Sequence, residues 1–136
     1  MRMTVYLDTS ALLALVVDGG QRAVVLDALG SDPVWCASAL ALTEALPAID
    51  RLTDEEVLRG DLEDAVRVVW DYLHVVPLDQ RCLDRAAGLS RQQPVRLTDA
   101  IHLAAAERLP GAIRFVTFDP TQFGVAEALG FEVVSA

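Results

Sequence analysis

One junction near the start of the chain limits its fold more than any other feature. Val5-Tyr6-Leu7 is a short apolar run of β-prone residues that ends abruptly in Asp8. Thr9 and Ser10 follow, and Ala11-Leu12-Leu13-Ala14-Leu15 then reads as a helix. A strand that passes straight into a helix is the first half of a strand–helix–strand crossover, and the same handover recurs along the chain. Val34–Ala37 is a second short buried strand, and Ser38 caps the helix after it, in which Pro47 is expected to cause a bend or break. A long helix is predicted over 54–73, then a brief extended segment, Val75–Leu78. Asp79 caps a helix to about Ser90, Gln92–Val95 is a loop, and Thr98-Asp99 opens a helix through Arg108. Arg114–Phe118 reads as a strand and Asp119-Pro120 as the start of a last helix, to Leu129. Gly130 ends that helix, and Phe131–Val134 is the final strand. Turns are expected at Asp18-Gly19-Gly20 and Gly30-Ser31-Asp32-Pro33. Strands alternating with helices imply an α/β domain with a mostly parallel central sheet and helices on both faces.

The alternation runs through all 136 residues without a repeat, a low-complexity stretch or a linker, so a single domain over 1–136 is expected. Hydrophobic residues make up 53%, enough for a sizeable core. The apolar runs are short and broken by charge, and the N-terminal one carries Asp8 and lacks a basic flank. Neither a membrane span nor a signal peptide is expected, and the location that follows is cytoplasmic. Cys36 and Cys82 stand in apolar surroundings at no metal-binding spacing, which predicts a reduced, buried pair. Net charge is −9, which argues against gripping nucleic acid by bulk charge and suits a basic partner or a bound cation. All 11 basic residues are Arg.

Four acids stand where chemistry is done in such a sheet. Ligands bind outside the carboxyl ends of the strands. Asp8 ends the first strand and Asp119 ends the strand before the last helix, while Asp99 lies in the first turn of its helix and Glu44 one or two turns into another. Each alone reads as a cap or a surface charge. Together they would repel one another, so some must take protons or the set must hold a cation. Oxygen-only ligands favour a hard metal, Mg²⁺ or Mn²⁺, and such metals serve phosphodiester cleavage.

These residues also carry a family likeness. The segments Val5–Leu12, Ser38–Glu44, Leu97–Ala106 and Val116–Asp119, in that order, with a tail of Phe123, Ala126, Leu129-Gly130 and Val133, resemble the PIN domain, and within it the VapC-type toxins of toxin–antitoxin pairs. The resemblance implies a three-layer α/β/α sandwich. It implies a Mg²⁺- or Mn²⁺-dependent endoribonuclease whose acidic site is Asp8, Glu44, Asp99 and Asp119, supported by the hydroxyls of Ser10 and Thr117. It also implies an RNA substrate, a small VapB-type antitoxin that blocks the groove, and a homodimer. Surplus apolar residues on the 54–73 helix (Val57, Leu58, Leu62, Val66, Val68, Val69, Trp70, Leu73) agree with an interface. Pro47, three residues after Glu44, departs from the pattern and bears on the aim of Glu44.

Other residues read more plainly. His102 shares a helical face with Asp99 but has no second His or Cys beside it, so a packed or hydrogen-bonded role is expected. His74 is placed at a helix end, Asp79 is a cap, and Asp61, Glu63 and Asp64 form a solvated face. Arg51, Arg96 and Arg114 are candidates for phosphate contact or for ion pairs. Phosphoryl-acceptor enzymes that rely on lysine are excluded by its absence, and a P-loop by the lack of Gly-Lys-Ser/Thr. The remaining alternative is a PIN-like module that binds RNA or protein without cutting.

Overall fold

A computed structural model describes residues 3–17, 19–30 and 34–135. Its sheet has five strands, β1 (Met3–Leu7), β2 (Trp35–Ser38), β3 (His74–Val76), β4 (Ala112–Val116) and β5 (Glu132–Val134), in the order β3-β2-β1-β4-β5. Every neighbouring pair is parallel. The chain steps outward from β1 to β2 to β3, then returns to lay β4 on the other side of β1. That reversal opens a crevice at the carboxyl ends of β1 and β4.

Strand alternation sorts the core into two layers. Val5 and Leu7 face α1 (Thr9–Val16), α2 (Gly20–Leu29), α3 (Ala39–Leu52) and α4 (Glu56–Asp71), packing with Leu12, Val25, Ile49 and Val66. Tyr6 faces α5 (Gln80–Gln92), α6 (Leu97–Glu107) and α7 (Phe123–Ala128), packing with Leu89, Leu103 and Phe131. Its ring stacks on Phe115 at 5.3 Å, and Phe115 stacks on Phe131 at 5.8 Å. On α6, Ala100, Ala104, Ala105 and Ala106 are all buried. Small side chains let that helix lie close to the sheet, which brings Asp99 and His102 toward the end of β1.

The expected architecture holds, with shifted boundaries. β4 ends at Val116, not Phe118: Thr117 N–H still donates to Val134 O (3.1 Å), but the amides beyond it turn to side chains, Phe118 N–H to Ser10 Oγ (2.9 Å) and Asp119 N–H to Thr117 Oγ1 (3.1 Å). Asp119 therefore lies in the loop beyond the strand. The last helix opens as a single 3-10 turn, Pro120–Gln122, before α7. Pro47 does not interrupt α3. α4 covers Glu56–Asp71, and His74 is the first residue of β3, paired with Cys36, rather than a helix end. Asp79 caps α5 as expected, accepting from Cys82 N–H. Both cysteines are free and buried, and burial pushes the Cys36 thiol up to about 11. Gly30 closes α2 at φ +45°, a backbone that favours glycine. Asp18 and residues 31–33, part of the two expected turns, lie outside the described residues. No helix among the described residues is long and apolar enough to cross a membrane.

Candidate active site

Asp8 leaves the sheet at the end of β1 and caps α1, and it is 2% exposed. Its carboxylate collects four donors from three parts of the chain. Oδ1 accepts from Ser10 Oγ (2.6 Å) and Ala11 N–H (2.9 Å), and Oδ2 from Thr117 Oγ1 (2.6 Å) and Gln122 Nε2 (2.9 Å). The cap is real, but α1 needs only one of these bonds. The others, from Thr117 and Gln122 above all, tie the segment after β4 to the end of β1. Burial pushes the Asp8 pKa up, and the bonds from Ser10 and Thr117 oppose that rise.

Glu44, in the second turn of α3, turns to the same crevice. Its Oε1 accepts from Thr9 Oγ1 (2.6 Å) and pairs with His102 Nε2 (2.8 Å). His102 is 2% exposed, and its Nδ1 lies 2.9 Å from the Tyr6 hydroxyl. Burial, then the charge on Asp8, hold the Tyr6 pKa well above its usual value, so the phenol keeps its proton. The hydrogen bond with His102 and then that from Thr9 hold Glu44 below the usual carboxylate range, against its partial burial.

The opposite wall is built differently. Asp99, 5% exposed, stands in the first turn of α6. Arg96, the residue before that helix, reaches back to it with Nε at 3.1 Å from Oδ2, and its Nη2 lies 3.3 Å from Asp119 Oδ2. Asp119 also receives Thr121 N–H (3.0 Å) and Thr121 Oγ1 (2.8 Å) on Oδ1, capping the 3-10 turn. The guanidinium thus bridges two of the four acids, although the Arg96 side chain is 73% exposed.

Asp8, Glu44, Asp99 and Asp119 all line one crevice of about 210 Å³, with Thr9, Ser10, Arg96, His102 and Gln122. A larger cleft of about 440 Å³, between α5 and α6, is lined by Arg81, Cys82, Arg85, Glu107 and Arg108. Its charges are largely spent on pairs, Arg85 with Glu107 and Arg108 with Asp79, so it offers no comparable cluster. In the crevice the donor set is all oxygen, as a hard divalent cation requires. Gln122 lines it too, and its Oε1 is buried with no hydrogen-bond partner among the described residues. As the side chains lie, no group of three acid, His or Cys residues among the described residues closes around one ion. Arg96 stands between Asp99 and Asp119, and Glu44 gives Oε1 to Thr9 and His102. The residues fit such a cation by chemistry and by shared crevice, with Arg96 as the competing charge.

Among the polar residues lining the crevice, Thr9, His102 and Gln122 are not singled out as site residues by the sequence, and Arg96 is named only as a phosphate contact or an ion pair. His102 is buried and hydrogen-bonded as expected, but its partner is one of the acids. Arg96 forms ion pairs as one of its two readings expected, and its partners are two of the acids. Arg114 instead pairs with Glu132 and donates to Ala28 O, outside this crevice.

An open parallel sheet that gathers four carboxylates at the reversal of its strand order has the architecture of a PIN-type α/β/α fold. The family model described as "PIN domain" matches residues 5–128, and the chain belongs to that family. It is 33% identical over 132 residues, 96% of each chain, to Ribonuclease VapC46 of Mycobacterium tuberculosis. Among solved structures it superposes on FitAcB from Neisseria gonorrhoeae with a TM-score of 0.73 at 17% identity, covering 96% of each chain. It also superposes on VapBC-5 of Mycobacterium tuberculosis, a member of the VapBC family of toxin-antitoxin systems, with a TM-score of 0.67 at 20% identity over 100% of each chain. At these identities the structural likeness is one of fold.

Proposed function

We propose that this protein is a VapC-type toxin, an endoribonuclease that depends on Mg²⁺ or Mn²⁺ and cleaves single-stranded RNA. The observation that carries the reading is the convergence of Asp8, Glu44, Asp99 and Asp119 on one crevice at the strand-order reversal. The relative named as a ribonuclease, aligned over nearly the whole chain, supports it. Asp8, Asp99, Asp119 and Glu44 would hold the cation, directly or through water. A divalent ion there would offset charge on the phosphodiester and make water a stronger nucleophile.

The chain's own residues prepare that reaction. Ser10, Thr117, Gln122 and the Ala11 amide all donate to Asp8, which orients its carboxylate and favours the ionised form. Glu44, with its pKa lowered, keeps its charge at neutral pH and is a weak base, so it suits holding a cation better than taking a proton. Its Oε2 is left for the crevice while Oε1 is engaged. Cleavage of single-stranded RNA should therefore require added Mg²⁺ or Mn²⁺ and stop in EDTA. Full cleavage in EDTA would defeat the metal-dependent mechanism, and a protein that binds RNA without cutting it under any metal would point to the non-catalytic alternative.

Two partners belong to the same reading. The first is a VapB-type antitoxin. Several proteins of this fold are known as toxin–antitoxin complexes. The acidic crevice suits a basic inhibitory segment, and the guanidinium of Arg96 between Asp99 and Asp119 shows that the space accommodates such a group. Replacing the inserted basic residue of the antitoxin with Ala should restore cleavage in the complex. The second partner is another copy of this chain. On α4, Val66 is buried, while Val57 (71% exposed), Val68 (59%) and Leu58 (42%) are left open. Sedimentation at tens of micromolar should give a dimer, and a strict monomer would remove the homodimer from the proposal.

A further inference from the structure

Thr9, Glu44 and His102 come from α1, α3 and α6, yet they converge on a single oxygen atom, Oε1 of Glu44. A buried histidine that merely completes a core needs one partner per ring nitrogen, and a backbone carbonyl would serve. Here one nitrogen faces Tyr6 on β1 and the other faces a carboxylate whose side chain is 32% exposed and otherwise free to swing toward water. Tyr6 is itself fixed in the core against Phe115. Its hydroxyl lies 2.9 Å from Nδ1 and Glu44 Oε1 lies 2.8 Å from Nε2, so the ring is held at both nitrogens and Nε2 faces Glu44. Thr9 Oγ1, 3.1 Å from Nε2 and 2.6 Å from Oε1, adds a second donor to the same oxygen. Both donors lie on one side of the carboxylate, so Oε2 is the oxygen left to the crevice.

We propose that His102 and Thr9 are positioning residues for Glu44, with Tyr6 holding the ring from its Nδ1 side so that Nε2 faces Oε1. This rests on the metal-dependent nuclease reading above and adds the device that holds Glu44 in place. The role resembles that of outer partners at metal sites generally, whose loss weakens metal affinity about 10- to 100-fold.

The test uses the length difference between two amides. In His102→Gln the terminal amide reaches about where Nε2 lies and can still donate to Glu44. In His102→Asn it stops near the Nδ1 position and cannot. Mn²⁺ binding is read from the electron paramagnetic resonance signal of the free ion, RNA cleavage is titrated with Mn²⁺, and each variant is checked by thermal melting. His102→Asn should raise the Mn²⁺ dissociation constant about tenfold, near the low end for outer-shell partners, while His102→Gln stays within about threefold of wild type. Glu44→Gln should itself weaken Mn²⁺ binding, and His102→Asn added to it should weaken binding little further, because the two act through one group. Should His102→Asn not fold, Thr9→Val, on the half-buried side of the network, carries the same test and should raise the constant about threefold. Unchanged Mn²⁺ affinity in the folded variants, or equal losses in Gln and Asn that track melting temperature, would overturn the positioning role while leaving the nuclease reading intact. A wild-type protein that neither binds Mn²⁺ nor cuts RNA would overturn both.

Discussion

The two walls of the crevice present acid in opposite ways. On the Asp8–Glu44 wall the carboxylates are held mainly by neutral donors, three hydroxyls and two N–H groups, with the His102 ring beside Glu44. On the Asp99–Asp119 wall Thr121 donates twice to Asp119 Oδ1, but what links the two acids is a single guanidinium from a side chain that is 73% exposed. Neutral donors fix where a carboxylate points but leave its charge to be compensated by something else. A salt bridge compensates the charge, but an exposed one is weak and screened by salt. One wall is therefore a rigid presentation of negative charge, and the other is charge covered by a removable counter-ion.

The sharpest way to break this comparison is Asp8→Asn. Cleavage should fall about a hundredfold or more, since one such electrostatic group is commonly worth about 3 kcal/mol in the transition state. Stability should not fall with it. The folded pKa of Asp8 lies above its unfolded value of about 3.9, so the native state binds more protons in that window and loses stability as pH rises through it. At pH 7 the charged Asp8 carries that full cost, which Asn does not. Asn also keeps the cap acceptor, and its amide can donate to the unpartnered Oε1 if Gln122 turns over. The variant should melt at or above wild type at neutral pH, with the difference shrinking toward pH 3. A drop of more than about 4 °C, near what 1 kcal/mol does in a domain of this size, would mean that the four hydrogen bonds outweigh the burial of charge.

Glu44→Gln should move stability the other way on the same wall. The folded pKa of Glu44 is depressed, so its charge contributes stability that is present above its unfolded value of about 4.3 and lost as pH falls through the folded one. The Gln variant lacks that contribution, so it should melt below wild type at pH 7 and converge with it in acid. Calorimetry of both variants from pH 3 to 7 checks the pair. Shifts of the same sign at neutral pH would show that the two carboxylates are not held by opposed effects.

What the sequence reveals of this site follows how local each interaction is. Asp8 was legible because a strand end passes directly into a helix start there, and Ser10, two residues on, through the family resemblance. Asp119 was legible as the polar end of a β-prone run, and Thr117 only through the family resemblance, although the strand stops earlier because Ser10 and Thr117 take the amides of Phe118 and Asp119. The strand order was not written in any local pattern, since alternation alone does not say that β4 returns to β1. Arg96 reads as a phosphate contact or an ion pair without named partners, because one of its two partners is Asp119, far along the chain. The Tyr6–His102–Thr9 contacts span the fold, and no spacing rule links a strand tyrosine to a histidine on the sixth helix. Gln122 stands between a proline turn and a short helix, and nothing nearby in sequence marks its side chain as aimed at Asp8.

The smallest effect, and the one that most directly sharpens the contrast between the walls, belongs to Arg96. Its hydrogen bond to Asp99, then the charges of Asp99 and Asp119, raise its pKa, so it is a permanent cation at any pH of interest. It lies where a divalent ion would draw on the same two acids, so ion and arginine compete. Removing the arginine with Arg96→Ala should tighten Mn²⁺ binding about threefold at low salt. That gain should fade as the Debye length shrinks from about 10 Å at 0.1 M to about 3 Å at 1 M. Melting should hardly change, because the side chain is exposed and buries little. The neutral-donor wall predicts the reverse salt behaviour: the loss in His102→Asn should persist at 1 M, since it comes from geometry rather than from long-range charge. If Arg96→Ala instead weakens Mn²⁺ binding, the arginine supports the metal site rather than competing for it, and the two walls are not distinguished by how their charge is held.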